Sequence, residues 1–531
     1  MLIEHRRSQS LVQEADAKFR SAYYDDALDL LEGCEDWDAP VNEDAVLLKA
    51  EILTRRNPLA SLQELANSQD VFQTPRGMFR YFLGLGAGYA LTRNFEAAEA
   101  MFRKARKMLK GGEADLLPQV ALQEARLRWM MGDSDPESVD VIHALQDKTA
   151  MGKMAALLNR GWRHADSNHY DRQIVDCIAA LKIAQEQPDE CDAFVVGRVV
   201  HALLRVAMET GDEAAVGVGQ RAFEGLAWTP DIQVEQFQAV RVLGWFAFLS
   251  GEAIRAQRYF KVAQALAPSK AWEVTAHLDR AHVASINNNE LWAMEETFEA
   301  DRIAKDVAWA TTRGEERISL ATLAVMMAKI DMAKAQTYIG LYNQLGSSSI
   351  DPNLVVSRDR RAVAAERYAA GCVQRTLGNT ELATTLLEEA YTVFNGAGHH
   401  HRAALAAVVL FEITGASQWQ ERGQVHGSHF ARSPVSAAVE RAASEPDDEI
   451  FKTLTPSQKQ VLAAICEGLS VAEMAERFSR SVFTINKHIQ AVYGAFDVHS
   501  RNELRAEAKK RRLFGQVWAS SLDSYIRLVK S

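Results

Sequence analysis

No apolar run in this 531-residue chain is long enough to cross a bilayer; the longest, Ala403 to Phe411, falls far short. A membrane-spanning protein is therefore not expected. The opening "MLIEHRRSQS" has no apolar core of the kind that directs export, so a cytoplasmic location is expected. The five cysteines, Cys34, Cys177, Cys191, Cys372 and Cys466, are scattered and never form a CxxC pair, which fits reduced thiols packed as small hydrophobes rather than a disulfide or zinc framework. Strand signals are nearly absent. A phosphate-binding G-x-x-x-x-G-K-[ST] loop is also missing, since "KGG" at 110–112 lacks the loop and the preceding strand. Adjacent histidines in "GHHHR", 398–402, point in different directions on a helix, so solvent-facing imidazoles are expected there and no metal. With no clustered nucleophile or acid–base pair, neither an enzyme nor a bound cofactor is expected.

What is present is unevenly charged. The whole chain carries a net charge of -10, yet residues 450–531 hold 13 Lys+Arg against 7 Asp+Glu, and the remainder holds 47 against 63. A basic tail on an acidic body assigns contact with polyanions to the tail.

The body repeats. In "FLGLGAGYALTRNFEAAEAMFRKA" the positions Phe82, Leu85, Gly86, Tyr89, Ala98, Phe102 and Ala105 alternate small and large residues at helix-pair spacing. Val240, Leu243, Gly244, Ala247, Ala256, Phe260, Ala263 and Pro268 follow the same register, and Gly371, Ala383, Leu387 and Ala390 form a third window. Small residues let two helices approach closely while large ones fill the groove against the next pair. These windows resemble the tetratricopeptide family. Weaker helix-pair signals continue around Ala27, Leu62, Cys177, Ala215, Met294 and Ala335. Ala98 and Ala256 lie 158 residues apart, a distance that divides better by about 40 than by the strict repeat length of about 34. The expectation is an all-α superhelix of about ten hairpins over residues 1–415, the alternative being an irregular helical domain. Its concave face is expected to take a ligand or a partner protein. Residues 416–449, rich in Ser, Gly, Pro and acids, read as a linker with at most one short helix.

Three local motifs punctuate the tail. Thr455 with Gln458, Ser470 with Glu473 and Ser500 with Glu503 each form an S/T-x-x-E/Q box that satisfies the free N–H groups of a helix start. Helices are expected at about 456–467, 471–478, 482–496 and 501–512, with Gly468 ending the first and Pro456 opening it. Only "SRS", 479–481, separates the second from the third, which forces the sharp crossing of a helix-turn-helix. Ile485, Ile489, Val492 and Phe496 then form a core stripe, to pack on Val461, Leu462, Ile465, Met474 and Phe478. Phe483, Asn486, Lys487, Gln490 and Gly494 form a second, outward stripe. Asn and Gln can pair with adenine and Lys with guanine, so this stripe suits a major groove, although an ordinary solvated surface also carries such residues.

Leu454, Thr455, Val461, Leu462, Gly468, Leu469, Ser470, Glu473, Met474, Ala475, Ser481, Thr484, Ile485, His488, Val498, Ser500 and Arg501 together resemble the LuxR-type, or GerE-type, DNA-binding domain over about 55 residues. The resemblance implies a four-helix domain at 450–515, followed by an extension at 516–531. It implies base contacts by Asn486, Lys487 and Gln490, and backbone contacts by Arg480, Ser481 and Thr484. Lys509 and Arg512, in "KKRR", are candidates for flanking phosphates, though cations that finish a helix equally suit its dipole. Ser457-Gln458 stands where the family usually has Arg-Glu, removing the usual carboxylate partner of Arg501. Asn486 and Ala495 replace frequent lysines, which implies a modest phosphate contribution.

By the same resemblance the chain is a bacterial transcription regulator, more an activator recruiting RNA polymerase than a repressor, binding double-stranded promoter DNA as a homodimer. It is similar to large maltose-regulator-type proteins without their ATPase module. An unidentified effector would occupy the repeat array. The competing expectation is an interaction scaffold whose small C-terminal domain binds protein.

Overall fold

The computed structural model describes residues 2–34, 37, 41–109, 114–133, 135–287, 289–309, 314–348, 360–430, 449–467, 469–478 and 480–511. Residues 110–112, the stretch 431–448, Gly468, Ser479, Arg512 and the extension at 516–531 lie outside them. The described residues are all-α, with no strand among them.

Among these residues eleven helical hairpins follow one another. They are α1 (Leu2–Arg20) with α2 (Tyr24–Leu30), α3 (Val41–Arg56) with α4 (Pro58–Asn67), α5 (Pro75–Leu91) with α6 (Phe95–Met108), and α7 (Leu117–Met131) with α8 (Val139–Ala144). Next come α9 (Ala150–Asp166) with α10 (Tyr170–Glu186), α11 (Ala193–Thr210) with α12 (Glu213–Gly225), α13 (Gln233–Leu249) with α14 (Ala253–Ala265), and α15 (Lys270–Ile286) with α16 (Glu290–Ala304). The last are α17 (Gly314–Ala328) with α18 (Met332–Ser348), α19 (Arg360–Thr376) with α20 (Thr380–Gly396), and α21 (His400–Thr414) with α22 (Ser417–Gly427).

The repeat register has a direct packing cause. A Cβ on Gly86 would sit 2.3 Å from the Phe102 ring, one on Gly244 would sit 2.9 Å from Phe260, and one on Gly371 would sit 2.7 Å from Leu387. In each of these hairpins the first helix thus offers a bare backbone where the second inserts a large side chain. Ala98, Ala256 and Ala383 are fully buried at the matching small positions of the second helices. From Ala98 to Ala256 there are four hairpin steps, which accounts for the spacing of about 40. Turns inside the hairpins are equally regular. Ala22, Arg93, Asn168, Gly211, Gly251 and Gly378 each hold positive φ two residues before the second helix begins, which turns the chain back on itself. Starts are fixed by side-chain caps: Asn57, Thr74, Asn94, Thr149 and Asp212 each accept from a first-turn N–H.

Curvature brings distant hairpins together. The Thr229 hydroxyl donates to the Ala22 carbonyl at 2.7 Å, Tyr24 N–H donates to Asp231 at 2.8 Å, and Ile232 enters the core formed by residues of the first hairpins. Five hairpins further on, Arg402 at the start of α21 meets Glu209 at the end of α11, and Ala397 and Ala404 join the core around Val199 and Leu203. The array therefore completes a turn in about five hairpins.

Two local features differ from expectation. Residues 417–427 form the second helix of the last hairpin, because Trp419 is buried edge-on against Tyr391 at 5.1 Å. The "GHHHR" imidazoles are not solvent-facing: His399 and His401 are buried, since the turn of the superhelix brings Glu209 and Tyr170 over them.

Candidate nucleic-acid interface

After the described array come α23 (Glu449–Thr453), α24 (Pro456–Glu467), α25 (Val471–Arg477), α26 (Val482–Phe496) and α27 (Arg501–Lys510). The short helix α23 carries no capping box or repeat that would announce it in the sequence; Phe451, buried in the domain core, holds it there.

The capping boxes form as hydrogen bonds. Thr455 N–H donates to Gln458 Oε1 at 2.7 Å, and Ser470 N–H donates to Glu473 Oε2 at 2.6 Å. The third box is shifted by one residue, with Glu503 accepting from His499 N–H at 2.9 Å and from the Ser500 hydroxyl at 2.9 Å. These backbone and hydroxyl donors hold the Glu473 and Glu503 carboxyls below their ordinary range. At the start of α26, Ser481 Oγ accepts Thr484 N–H at 3.1 Å and lies 2.8 Å from the Thr484 hydroxyl. Asp497, in the left-handed conformation, stops the helix.

Helix α26 divides as its sequence implies. Ile485, Ile489, Val492 and Phe496 are buried with Val461, Leu462, Ile465 and Met474, while Phe478 packs on the edge of that cluster. Asn486, Lys487 and Gln490 are exposed on the other side, and Phe483 is 80% exposed. Arg480 and Ser481 are exposed beside the helix start, with Thr484 half-buried. His488 is half-buried between the two stripes. Lys509 lies in the last described turn of α27, remote in sequence from this group. The structure thus gathers six of the eight candidate residues at one helix and its N-terminus.

Arg501 does not depend on a carboxylate at position 458. Its guanidinium donates to the Leu469 carbonyl, and its Nε has no hydrogen-bond partner among the described residues. Arg505 Nε donates to the Ile465 carbonyl at 2.7 Å. Two arginines of α27 therefore tie it to the backbone around the first two helices of the motif.

The array supplies a second candidate site. Mainly the first helices of its hairpins, with a few second-helix residues, line a cavity of 1980 Å³, whose wall includes Trp162, Arg198, Arg241, Asp279, His282 and Glu412. Much of the charge on this wall is internally satisfied: Arg241 Nη2 donates to Asp279 at 3.1 Å and Trp245 Nε1 donates to the same carboxylate at 3.2 Å. Burial pushes the His282 imidazole down to about 4, although Asp279 opposes the shift.

Comparison with known proteins bears mainly on the tail. The family model of the bacterial regulatory proteins of the luxR family (GerE) matches residues 452–508. Among solved structures, the chain is similar to a Rap protein complexed with competence and sporulation factor. Identity is 15%, the match covers 65% of this chain and 99% of that one, and the TM-score is 0.35. Comparison with curated proteins gives no match.

Proposed function

We propose, from a chain whose residues 452–508 form a LuxR-type helix-turn-helix, that it is a transcription regulator in which α26 enters the major groove and the helical array senses an effector. The observation that carries this reading is the two-sided character of α26: an apolar stripe locked into the domain core and a polar stripe of Asn486, Lys487 and Gln490 facing away from it.

In this arrangement Asn486 and Gln490 read adenine edges, Lys487 reads guanine, and Phe483 lies against a thymine methyl. Arg480 and the backbone N–H groups around Ser481 and Thr484 fix the phosphate register. Lys509 and Arg512 add flanking contacts. With so few cations per domain, a homodimer on a two-fold operator supplies the affinity that one domain lacks. The regulator acts as an activator, contacting RNA polymerase from a promoter-proximal site. An occupant of the array cavity biases the superhelix and so the placement of the tail domains.

Selection of bound fragments from genomic DNA by the full chain tests the reading. Recovery of a two-fold symmetric sequence near promoters supports it. Fragments with no shared sequence would leave α26 without a reading role. The thinned cation set and the exposed Phe483 favour a second reading, in which α26 docks on a protein. Under that reading no DNA complex forms with the unaltered chain.

A further inference from the structure

The Arg402–Glu209 pair, which joins α21 to α11 where the array completes a turn, is also part of the cavity wall. Its two members stand at different depths. Glu209 keeps 2% of its side-chain surface exposed and Arg402 keeps 37%, so the guanidinium covers the carboxylate from the cavity side. Only one edge of that guanidinium is used. Nε donates to both oxygens of Glu209, at 2.9 and 3.2 Å, whereas Nη1 and Nη2 make no hydrogen bond with any described residue. The Phe394 ring, its centre 5.8 Å from the guanidinium carbon, supports the group from the side.

The wall around it is spared the negative charge of the body. Outside residues 450–531 the chain holds 47 Lys+Arg against 63 Asp+Glu, yet eight Lys+Arg and seven Asp+Glu line the cavity. Several of those acids are already engaged: Asp279 with Arg241, Glu366 with Arg317 and Glu412 with Arg375. Arg205, one turn before Glu209 on α11, lies on the same wall and adds a second positive charge beside the pair.

The two terminal nitrogens of a guanidinium form a planar fork that fits two oxygens of a carboxylate or a phosphate. An anion seated on that fork shares Arg402 with Glu209, and the two negative groups repel each other in a site partly withdrawn from water. Whatever grips Arg402 from the cavity then weakens its hold on Glu209. By reciprocity, whatever weakens that hold tightens the grip on the anion.

We propose that Arg402 anchors an oxyanion group, carboxylate or phosphate, of the effector that the array senses, and that seating this group loosens the Glu209–Arg402 closure. This rests on the sensing role given above; it adds the chemistry of the ligand and the contact through which its arrival reaches the superhelix.

Calorimetric titration of the full chain tests this with two probes: inorganic pyrophosphate for the phosphate source and tri-glutamate for the carboxylate source. Saturable binding of at least one is expected, and the probe that binds identifies the source. Two substitutions should then move affinity in opposite directions. Arg402→Gln removes the fork and should weaken binding about tenfold or more, while Glu209→Gln removes the competing charge and should tighten it about tenfold.

A closure that merely holds the cavity in shape would weaken binding in both variants alike. That outcome overturns the proposal, as do no saturable heat from either probe, undiminished affinity in Arg402→Gln, or unchanged affinity in Glu209→Gln. If Arg402→Gln unfolds the array, Arg402→Lys keeps the charge but lacks the planar fork, and the same tenfold loss is required of it. None of these measurements uses DNA. Failure here leaves the fragment selection as an independent test of the regulator itself.

Discussion

The guanidinium Nε of Arg402 lies 2.9 Å from Oε1 of Glu209, although 193 residues separate them. Glu209 is buried, and His399 and His401 approach the same carboxylate at 3.4 and 3.5 Å. Burial alone would push this carboxyl up, but Arg402, His399, His401 and Arg205 outweigh it and hold it well below the usual carboxylate range. At neutral pH His401 is uncharged, so Arg402 supplies most of the attraction. The pair latches α11 to α21 and closes one turn of the array. Arg402→Ala strands the buried carboxylate and should cost about 2–3 kcal/mol, less than a fully buried pair because Arg402 is partly exposed. Glu209→Gln leaves Arg402 able to reach water and should cost less. Urea unfolding of the two variants measures the asymmetry.

Acid should open the same seam. Burial holds His401 down to about 4, against the attraction of Glu209 and with help from Arg402, His282 and His400. His400 is likewise held down to about 4 by burial, with His429 and His426 adding repulsion. For a histidine whose folded pKa lies below its unfolded value of about 6.5, the unfolded chain binds more protons between the two values. The stabilisation is complete above pH ~6.5 and is lost progressively toward pH 4. Glu209 acts in the same direction, its contribution starting to fall below the ordinary carboxylate range. The urea midpoint should drop between pH 7 and pH 5, and His401→Gln should flatten that dependence.

Two glycine substitutions should move stability in opposite directions. At Gly86 a methyl would strike the Phe102 ring, and Gly86→Ala should cost about 1–3 kcal/mol as an overpacked core. At Gly494, exposed on α26, an added Cβ meets no heavy atom within 4 Å, and Gly494→Ala should gain about 1 kcal/mol from helix propensity alone. Thermal unfolding of both variants decides the signs.

The legible and illegible parts of this sequence divide by distance along the chain. Gly86 with Phe102, and Ile485 with Ile489, are local pairs whose spacing follows from helix geometry, so the hairpin register and the two faces of α26 could be read directly. Thr455–Gln458 is local too, and its box forms as spaced. The Glu209–Arg402 latch joins segments 193 residues apart and leaves no periodic trace, so nothing local marks His399 and His401 as buried. The final helix Ser417–Gly427 is polar overall, and one buried tryptophan, Trp419, decides its place. Arg198 stacks on Trp162 of the preceding hairpin, a contact that no local spacing announces.

Phosphate contacts should leave a measurable signature in salt. If Arg480 and the N-terminus of α26 provide about three phosphate contacts per domain, the logarithm of affinity should fall against log salt with a slope of about -3 per domain. Arg480→Ala should lower that slope by about one and weaken binding on every sequence alike. Fluorescence anisotropy on a selected and a scrambled duplex across a salt series gives both values.

The central claim is tested most directly by the equilibrium affinity of full-length protein for its selected duplex, before and after Asn486→Ala/Lys487→Ala/Gln490→Ala. Each base contact is worth about 1–3 kcal/mol, so the triple variant should bind at least about a hundredfold more weakly while its unfolding curve stays unchanged. Unaltered affinity in the triple variant, or no complex with the parent chain, would contradict the assignment of α26 as a reader of DNA.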